Sequence, residues 1–236
     1  MIQAIVITPV KNSIETTLET IRAIANSSIR VKHIVYNDFS TEETKKALEA
    51  AKNKDVFELI HLEEITNHPS PNYRLVLQDA QQKAIQENLP LIIVESDVRV
   101  QSDTLEKMVE LSKNQPEVGM IGAVTVDEYG LVNFPYLKFK KEKNQIINTK
   151  RSLSFCCTLL NTPFLNAYSF QHLDDTKDWY DVSISLKSVE LGFLNFVLMN
   201  TPVLHKPHGS RPWKLMKYKN PIKYYLQKFL NRRDKI

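Results

Sequence analysis

The sequence predicts an α/β fold whose mostly parallel sheet is covered by helices on both faces. Two observations lead to this prediction. Short apolar runs rich in β-branched residues alternate four times with amphipathic helical patterns over roughly the first 115 residues, which is the order of a parallel sheet with crossover helices. The run from Leu91 to Val94 contains no polar residue, as expected for a strand buried on both faces in the middle of such a sheet.

The first half follows this alternation in order. Strands are expected at 3–10, 33–36, 57–62 and 91–94, and helices at 14–26, 41–52, 72–87 and from 103 onward. Ser40 and Glu43 have the spacing of a capping box, in which two side chains satisfy free backbone N–H groups, so the second helix should begin at Thr41.

The second half is less regular. Two strands, expected to be antiparallel, are predicted at 118–126 and 131–139 around a turn at 127–130. The remaining expected elements are a strand at 154–161, a short helix or loop at 164–170, a helix that follows 174–181 and ends at Gly192, and strands at 196–199 and 202–204.

Composition indicates an ordinary globular protein. Of 236 residues, 42% are hydrophobic and 25% charged, so the chain can bury a substantial core. No apolar run approaches the roughly 20 residues that cross a bilayer, and the start at Met1 resembles no signal peptide, so a cytoplasmic protein is expected. Cys156 and Cys157 are adjacent and lack metal-ligand spacing in the sequence, which favours a reducing compartment.

Two acids follow the central strand directly. Glu95 and Asp97 stand at its carboxyl end, where open α/β sheets bind ligands. Mg²⁺ or Mn²⁺ is commonly held by one or two carboxylates together with phosphate oxygens, so this pair suits a cation bound to a diphosphate. The alternative is that the acids form a turn or cap a helix. With five glycines and no glycine-rich loop, any nucleotide is held without a dinucleotide fingerprint.

Five short motifs occur in an order that resembles the family-two glycosyltransferases, an inverting family with the GT-A fold. This fold is a three-layer α/β/α sandwich around a mixed sheet, and the resemblance covers about residues 2 to 210. The motifs are Thr8-Pro9-Val10-Lys11-Asn12, Asn37-Asp38-Phe39-Ser40-Thr41, Glu95-Ser96-Asp97, Trp179-Tyr180-Asp181 and the single residue His205. The chain departs from the family pattern at Asn37, Phe39 and Glu95, where the family usually has Asp, Gly and Asp.

The resemblance implies where a nucleotide-sugar donor, a UDP-sugar or a GDP-sugar, and its Mn²⁺ or Mg²⁺ ion bind. Asp97 is the expected metal ligand, and His205 a second one, with His208 as its rival. The residues expected to contact the donor are Thr8, Pro9, Asn12, Asp38, Arg74, Glu95 and Ser96. Lys206, Arg211 and Lys214 either contact phosphate or form a solvated basic surface.

The resemblance also implies which residue acts as the catalytic general base. Inverting transfer needs a carboxylate that takes the proton of the acceptor hydroxyl while the cation stabilises the departing diphosphate. Asp181 matches the family's late acid, and Asp178 is the nearest substitute. Either acid could instead cap the helix.

The basic C-terminal tail has its own pattern. Residues 206–236 contain ten Lys or Arg and one acid, while residues 1–205 contain 21 basic and 26 acidic residues. Asn220 and Pro221 predict the start of an amphipathic helix. Two interpretations stay open: this helix lies on an anionic membrane, or its apolar face packs on the body. A nucleic-acid partner is not expected, because the tail aromatics share one helical face.

Together these features predict a metal-dependent inverting glycosyltransferase of the hexosyltransferase type, acting on a glycan or lipid-linked acceptor. The predicted transferase domain is 1–210, with a nucleotide-sugar-binding half at 1–115 and an acceptor-side half at 116–210, followed by the tail at 211–236. Two alternatives remain. One is a nucleotidyltransferase, although Thr8 to Asn12 lacks its glycine-rich loop, and the other is a non-catalytic relative that binds a nucleotide or tethers a complex.

Overall fold

A computed structural model describes residues 1–52, 56–176 and 179–206, together with Asn220, Ile222 and Leu226. The described strands join in one mixed sheet. In chain order they are β1 (Ile5–Val10), β2 (Lys32–Asn37), β3 (Glu58–His61), β4 (Leu91–Val94), β5 (Val98–Arg99), β6 (Val118–Val126), β7 (Ile146–Asn148), β8 (Cys157–Leu160) and β9 (Leu194–His205).

The sheet has a parallel half and a mixed half. Its order is β3-β2-β1-β4-β8-β6-β9-β5, with β7 also paired to β9. Strands β3, β2, β1 and β4 are parallel. Strand β8 is antiparallel to both β4 and β6, and β6 is parallel to β9. The parallel half confirms the crossover pattern of the sequence, and it brings the carboxyl ends of β1, β2 and β4 to one edge.

Helices cover both faces, which confirms the predicted α/β architecture. They are α1 (Ile14–Ala25), α2 (Glu42–Lys52), α3 (Tyr73–Glu87), α4 (Thr104–Asn114), α5 (Thr162–Ala167) and α6 (Tyr180–Glu190). In β4, Ile93 packs in the core with α3, α5 and α6, whereas Ile92 and Val94 pack in a second core with α4. Successive strand residues point to opposite faces, so burial of all four β4 residues shows that the strand is covered on both sides.

The second helix begins one residue later than predicted. Helix α2 starts at Glu42, and the Thr41 hydroxyl accepts a hydrogen bond from the N–H of Thr44 at 3.4 Å. The Ser40 hydroxyl accepts from the backbone N–H of Asn12 at 3.1 Å instead of capping the helix. The loop between β2 and α2 is therefore hydrogen-bonded to the loop that follows β1.

The strand predicted at 131–139 was wrong. Only a bridge between Val126 and Val132 forms there, and Tyr136–Phe139 is a short 3-10 helix. Pro135 has no N–H group to donate to a ladder, and Tyr136 and Phe139 are both buried, which suits a tight helical turn. The turn at 127–130 is present, since the Asp127 carboxylate accepts from the N–H groups of Tyr129 and Leu131.

Other details differ from the expectation, among them the short strand β5, which was not predicted. The last two predicted strands form one continuous strand, β9, whose pairing with β6 shifts register between Ala123 and Thr125. Strand β7 was not predicted. Strand β8 starts at Cys157, three residues after the predicted start. The helix predicted to follow 174–181 begins earlier, at Tyr180, and Gly192 lies just beyond its end at φ 87°, as expected for a glycine that ends a helix.

Residues Met1–Lys206 form one compact unit. The predicted halves within it, and the boundary at 210, stay predictions. The predicted tail helix lies outside the described residues, apart from Asn220, Ile222 and Leu226. Within the part of the chain that the structure describes, no helix combines the length and the apolar character that a membrane crossing requires.

Candidate active site

The loops after β1 and β2 are joined by Asn12. Val10 and Asn37 are paired at the ends of the two strands. Asn12 lies in the left-handed region at φ 57°, donates its N–H to Ser40, and accepts the N–H of Thr41 on its side-chain oxygen at 2.8 Å. Asparagine tolerates this backbone conformation better than most residues. Asn12 therefore fixes the edge of the crevice where the motifs of both loops meet.

Asp38 holds a third loop. Its carboxylate accepts hydrogen bonds from the Ser70 hydroxyl at 2.7 Å, the Asn72 N–H at 3.0 Å and the Asn72 side-chain amide at 2.8 Å. Both carboxylate oxygens are engaged. Asp38 thus positions the segment that leads into α3, and its predicted contact with the donor stays a prediction.

Asn37 is fully buried beside Asp38. Its amide nitrogen lies 2.9 Å from Nδ1 of His61, and the other ring nitrogen of His61 lies 2.8 Å from the Glu49 carboxylate. Since a carboxylate can only accept, His61 donates from Nε2 and accepts from Asn37 at Nδ1. The Asn37 side-chain oxygen has no hydrogen-bond partner among the described residues.

The other predicted donor contacts differ in their surroundings. Thr8 is fully buried, and its hydroxyl bonds to His33 at 3.0 Å inside the protein, so the structure does not bring this side chain to the crevice. Pro9 is half-buried near the end of β1. Arg74, in the first turn of α3, lies 3.4 Å from the exposed carboxylate of Asp175. Lys206 pairs with Glu19 of α1 at 3.1 Å, while His208, Arg211 and Lys214 lie outside the described residues.

The carboxyl end of β4 carries a cluster of potential metal ligands. One ligand atom each from Glu95, Cys156 and His205 lies within 4.8 Å of the others. Asp97 joins this cluster, since its Oδ2 atom lies 3.6 Å from Nε2 of His205. Ser96, between the two acids, is buried. The structure therefore brings Glu95, Asp97 and His205 together beside Ser96 and adds a cysteine, and the predicted roles of these residues in binding donor and metal stay predictions.

Backbone pairing sets this cluster. Val98 pairs with His205 between β5 and β9, and the N–H of Lys206 donates to the carbonyl of Asp97 at 2.9 Å. On the other side, the N–H of Glu95 donates to the carbonyl of Cys156 at 3.0 Å, just beyond the ladder of β4 and β8. The backbone of the ligand residues is thus held by hydrogen bonds within or next to the sheet.

The ring of His205 is oriented for ligation. Its Nδ1 atom lies 2.8 Å from the carbonyl oxygen of Phe134, which can only accept, so Nδ1 carries a hydrogen and donates it. Once Nε2 has lost its own proton to a bound cation's competition, the ring presents the lone pair of Nε2 towards Asp97 and Cys156. Histidine ligands are commonly fixed in this way by a partner on the second nitrogen. Carboxylate oxygens and imidazole nitrogen suit a divalent cation, so these residues fit the ion that the resemblance implies.

The side chains of the cluster shift one another's pKa values. Burial of the ring disfavours its charged form, but the Cys156 sulfur and the Asp97 carboxylate outweigh this and raise the pKa of His205 above its usual value. Burial, reinforced by the Glu95 carboxylate, raises the pKa of the Cys156 thiol above its usual value. Metal ligands must lose these protons, so a cation bound here displaces them.

Asp181 lies in the first turn of α6. It is half-buried, and its Oδ1 atom accepts the N–H of Val182 at 2.9 Å. Burial and the nearby Arg151 guanidinium lower the pKa of Lys138, and the Asp181 carboxylate acts in the opposite direction. Asp181 therefore interacts electrostatically with Lys138, which in turn lies near Arg151. Asp178, the predicted substitute, lies outside the described residues.

A family model described as glycosyl transferase family 2 matches residues 5–169, which is more than half of the chain. The chain belongs to glycosyl transferase family 2. The match spans β1 to the end of α5, including the loops of Asn12 and Asp38 and the Glu95 to Asp97 motif. This assignment confirms the family that the sequence resembles, while the motif at 179–181 and His205 lie beyond the matched residues. No curated protein sequence matches the chain significantly.

Solved structures agree with this family. GalNAc-T7 with UDP, GalNAc and Mn²⁺ has a TM-score of 0.64 at 14% identity, over 87% of this chain and 44% of that one. S. aureus TarS 1-349 has a TM-score of 0.67 at 18% identity, over 87% of this chain and 60% of that one. The same TarS segment in complex with UDP has a TM-score of 0.65 at 16% identity, over 92% and 64% of the two chains.

At these identities the similarity establishes the GT-A fold. This chain also spans less than two thirds of the length of each of these neighbours.

Cys156 is the residue of this family 2 site that the sequence interpretation missed. The spacing around the two cysteines contains no metal-ligand pattern, and Cys156 is 61 positions from Glu95. One signal was available: Cys156 precedes an apolar strand, as Glu95 follows one. An antiparallel pairing of those two strands places the residues side by side, but sequence alone did not specify that pairing.

Proposed function

We propose that this chain transfers a hexosyl group from a nucleoside diphosphate sugar to an acceptor hydroxyl, with inversion at the anomeric carbon and with a divalent cation. One observation carries the proposal. In a family 2 fold, Asp97 Oδ2 and His205 Nε2 lie 3.6 Å apart at the carboxyl end of the central strand, next to the crevice edge built by Asn12 and Asp38.

Asp97 and His205 are the residues that would hold the cation. A cation bound there neutralises charge that develops on a departing diphosphate. Of the neighbours, the GalNAc-T7 structure contains UDP and Mn²⁺, and one TarS structure contains UDP. These contents support a nucleotide diphosphate donor and a cation such as Mn²⁺ or Mg²⁺ here.

The donor side is organised by the loops of Asn12 and Asp38. Asn12 and Ser40 fix the first two loops, and Asp38 fixes the segment through Asn72 that leads to Arg74. A site held by backbone and side-chain hydrogen bonds before the donor arrives loses less entropy on binding. Arg74, paired with the exposed Asp175, can exchange that partner for the donor. The nucleobase of the donor is expected to be uracil or guanine.

Asp181 is the proposed general base. Its carboxylate takes the proton of the acceptor hydroxyl as the oxygen attacks the anomeric carbon from the face opposite to the leaving diphosphate. Its place in the first turn of α6, with Oδ1 accepting an N–H, stabilises the ionised form that a base requires. The positive charge of Lys138 acts in the same direction.

A glycan or lipid-linked acceptor and a location at the inner face of a membrane complete the proposal. The supporting observation is the charge of residues 206–236, ten Lys or Arg against one acid, which favours an anionic surface.

A non-catalytic nucleotide-binding protein is the second candidate. The neutral Asn37 at a position where the family usually has an acid, and the engagement of both Asp38 oxygens, favour it.

A thermal-shift screen of the full chain tests the proposal. The ligands are UDP, GDP and CMP and their common sugar conjugates, each with and without Mn²⁺. Stabilisation by one diphosphate that requires the metal is expected, since a ligand at 100 times its Kd stabilises by about 2.7 kcal/mol. Hydrolysis or transfer of the matching sugar then separates an enzyme from the non-catalytic candidate. No shift with any nucleotide contradicts both.

A further inference from the structure

The sulfur of Cys156 lies among the residues that would hold the cation. Cys156 is almost fully buried, and its Sγ atom is 3.4 Å from Oε2 of Glu95 and 3.9 Å from Nε2 of His205. His205 Nε2 is in turn 3.6 Å from Oδ2 of Asp97. The proposed transferase site uses Asp97 and His205, and it gives the sulfur no role.

These separations fit ligands of one metal ion. Zinc binds thiolate sulfur at about 2.3 Å and imidazole nitrogen or carboxylate oxygen at about 2.1 Å, so tetrahedral ligands lie about 3.5 Å apart. The sulfur–oxygen, sulfur–nitrogen and nitrogen–oxygen distances in this cluster, 3.4, 3.9 and 3.6 Å, bracket this value. A cation can therefore sit between the ligand atoms of Glu95, Cys156 and His205, with Asp97 added from the His205 side by a rotamer adjustment.

Hydrogen bonds also organise the surroundings of the Cys156 sulfur. The Ser154 hydroxyl donates to Sγ of Cys156 at 3.3 Å, which stabilises negative charge on sulfur. The Cys156 carbonyl accepts from the Glu95 N–H, and the Phe134 carbonyl fixes the opposite ring nitrogen of His205. Groups on three different strands or loops thus orient the donor atoms before any ion binds.

Cys157 provides an internal comparison. It is also fully buried, but its Sγ atom lies 3.9 Å from the sulfur of Met108 within the apolar core beneath α4. Cys156 lies in the turn before β8, whereas Cys157 is the first residue of the strand, and of the two sulfurs only that of Cys156 lies among the ligand atoms of the cluster.

We propose that Cys156 is a thiolate ligand of the cation at this site, together with His205, Asp97 and Glu95, and that it tunes the site towards borderline cations such as Zn²⁺ or Co²⁺. The inference rests on the cation site of the proposed function. Thiolate is a soft ligand that selects zinc-like ions, whereas carboxylate-only sites suit Mg²⁺ and Mn²⁺. When the metal–sulfur bond forms, the S–H bond breaks and its proton passes to the buffer.

Cobalt titration of the metal-free full chain tests the ligand directly. Co²⁺ bound to a thiolate shows a sulfur-to-metal charge-transfer band in the near ultraviolet, which oxygen and nitrogen ligands alone do not produce. The wild type and Cys157→Ala should both show the band. Cys156→Ala and Cys156→Ser should lack it. A wild-type cobalt complex without the band overturns the proposal.

Affinity provides the second measurement. Loss of even a residue that only orients a metal ligand costs 10-fold to 100-fold in affinity, so Cys156→Ser should weaken Zn²⁺ binding by at least about tenfold. Mn²⁺ binding should change by less than about threefold, because Mn²⁺ gains little from sulfur. Equal losses for both ions, or no loss for Zn²⁺, contradict the proposal, because Zn²⁺ exceeds Mn²⁺ in affinity at most sites whether or not sulfur binds.

Folding is controlled by comparing unfolding midpoints in chelator, which should agree between the Cys156 and Cys157 variants. If the Cys156 variants do not fold, the single thiol of Cys157→Ala reports instead. Zn²⁺, but not Mg²⁺, should protect it from a thiol reagent, and absence of protection overturns the proposal.

The charge-transfer band needs no nucleotide. A band without nucleotide binding therefore retains the ligand and refutes the transferase, while metal-dependent nucleotide binding without the band does the reverse.

Discussion

Asp97 Oδ2 lies 3.6 Å from Nε2 of His205 because Val98 and His205 are paired between β5 and β9. The two residues come from distant parts of the chain, and sheet hydrogen bonds on both sides fix their approach. Phe134 accepts the hydrogen on the far side of the ring, so Nε2 is presented to the carboxylate. This relationship is the geometric basis of the proposed cation site.

Asp97→Asn should abolish the metal dependence of donor binding. The amide keeps the shape of the side chain but removes the negative charge that attracts the cation. Calorimetric titration with UDP or GDP, with and without Mn²⁺, measures the effect, and the metal-dependent gain in affinity should fall at least about tenfold. Asp103→Asn, an acid at the start of α4 paired with Lys107, is the matched control and should keep the gain. An unchanged gain in Asp97→Asn refutes the ligand role.

Asp181→Asn should stop transfer while leaving donor binding intact. A general base contributes about 10²-fold to 10⁴-fold to the rate, so kcat should fall by at least about 100-fold with little change in the Kd of the nucleotide. Initial rates with a sugar donor and acceptor give the first quantity, and calorimetry gives the second. Asp174→Asn, an exposed acid a few residues earlier, should behave as the wild type. If Asp178→Asn is the inactive variant instead, the base has been misassigned.

Asp38→Asn should loosen the segment that leads into α3. The carboxylate accepts three hydrogen bonds from Ser70 and Asn72, and an amide cannot accept all of them. Loss of hydrogen bonds to a charged group costs about 1.5–3 kcal/mol, measurable by denaturant unfolding. Asn72→Ala removes the side-chain amide that donates to Asp38 Oδ1 and keeps the Asn72 N–H, so the two changes share this one contact and the double variant should lose less than the sum of the single losses. Additive losses mean that Asp38 does not act through Asn72.

His33 should make the protein sensitive to acid. Burial lowers the pKa of His33 from 6.5 to about 3, so between these values the unfolded chain binds a proton that the folded protein excludes. The stability contributed by the neutral ring is complete above pH 6.5 and falls as the pH decreases, by up to about 1.4 kcal/mol per pH unit.

His33→Gln should remove this part of the pH dependence. The variant loses the contact with Thr8 and is expected to be less stable at pH 7.5. Its disadvantage should shrink by about 2 kcal/mol at pH 5, since only the wild type must exclude the proton. Denaturant unfolding at both pH values measures this difference. His172→Gln, which removes an exposed histidine, should show no such convergence. A constant difference between wild type and His33→Gln rejects the assignment.

Local sequence patterns were sufficient for the parallel half of the fold. The apolar run of β4 and the acids after it could be placed because a fully buried strand needs only a short uniform pattern. The stretch at 131–139 could not, because its apolar residues suit both a strand and a tight helical turn. Tyr136 and Phe139 reach the core from a 3-10 helix, and tertiary packing made that choice.

By itself, the sequence determined the family, the α/β class, and the positions of Glu95, Asp97 and His205 at the ends of strands. Each of these depends on residues that are close in the chain. Only the tertiary structure decided that β8 lies antiparallel against β4, which brings Cys156 to Glu95, and that Asp38 is occupied by Ser70 and Asn72. These contacts depend on strand order and register, which arise from packing of the whole sheet and leave no mark in local spacing.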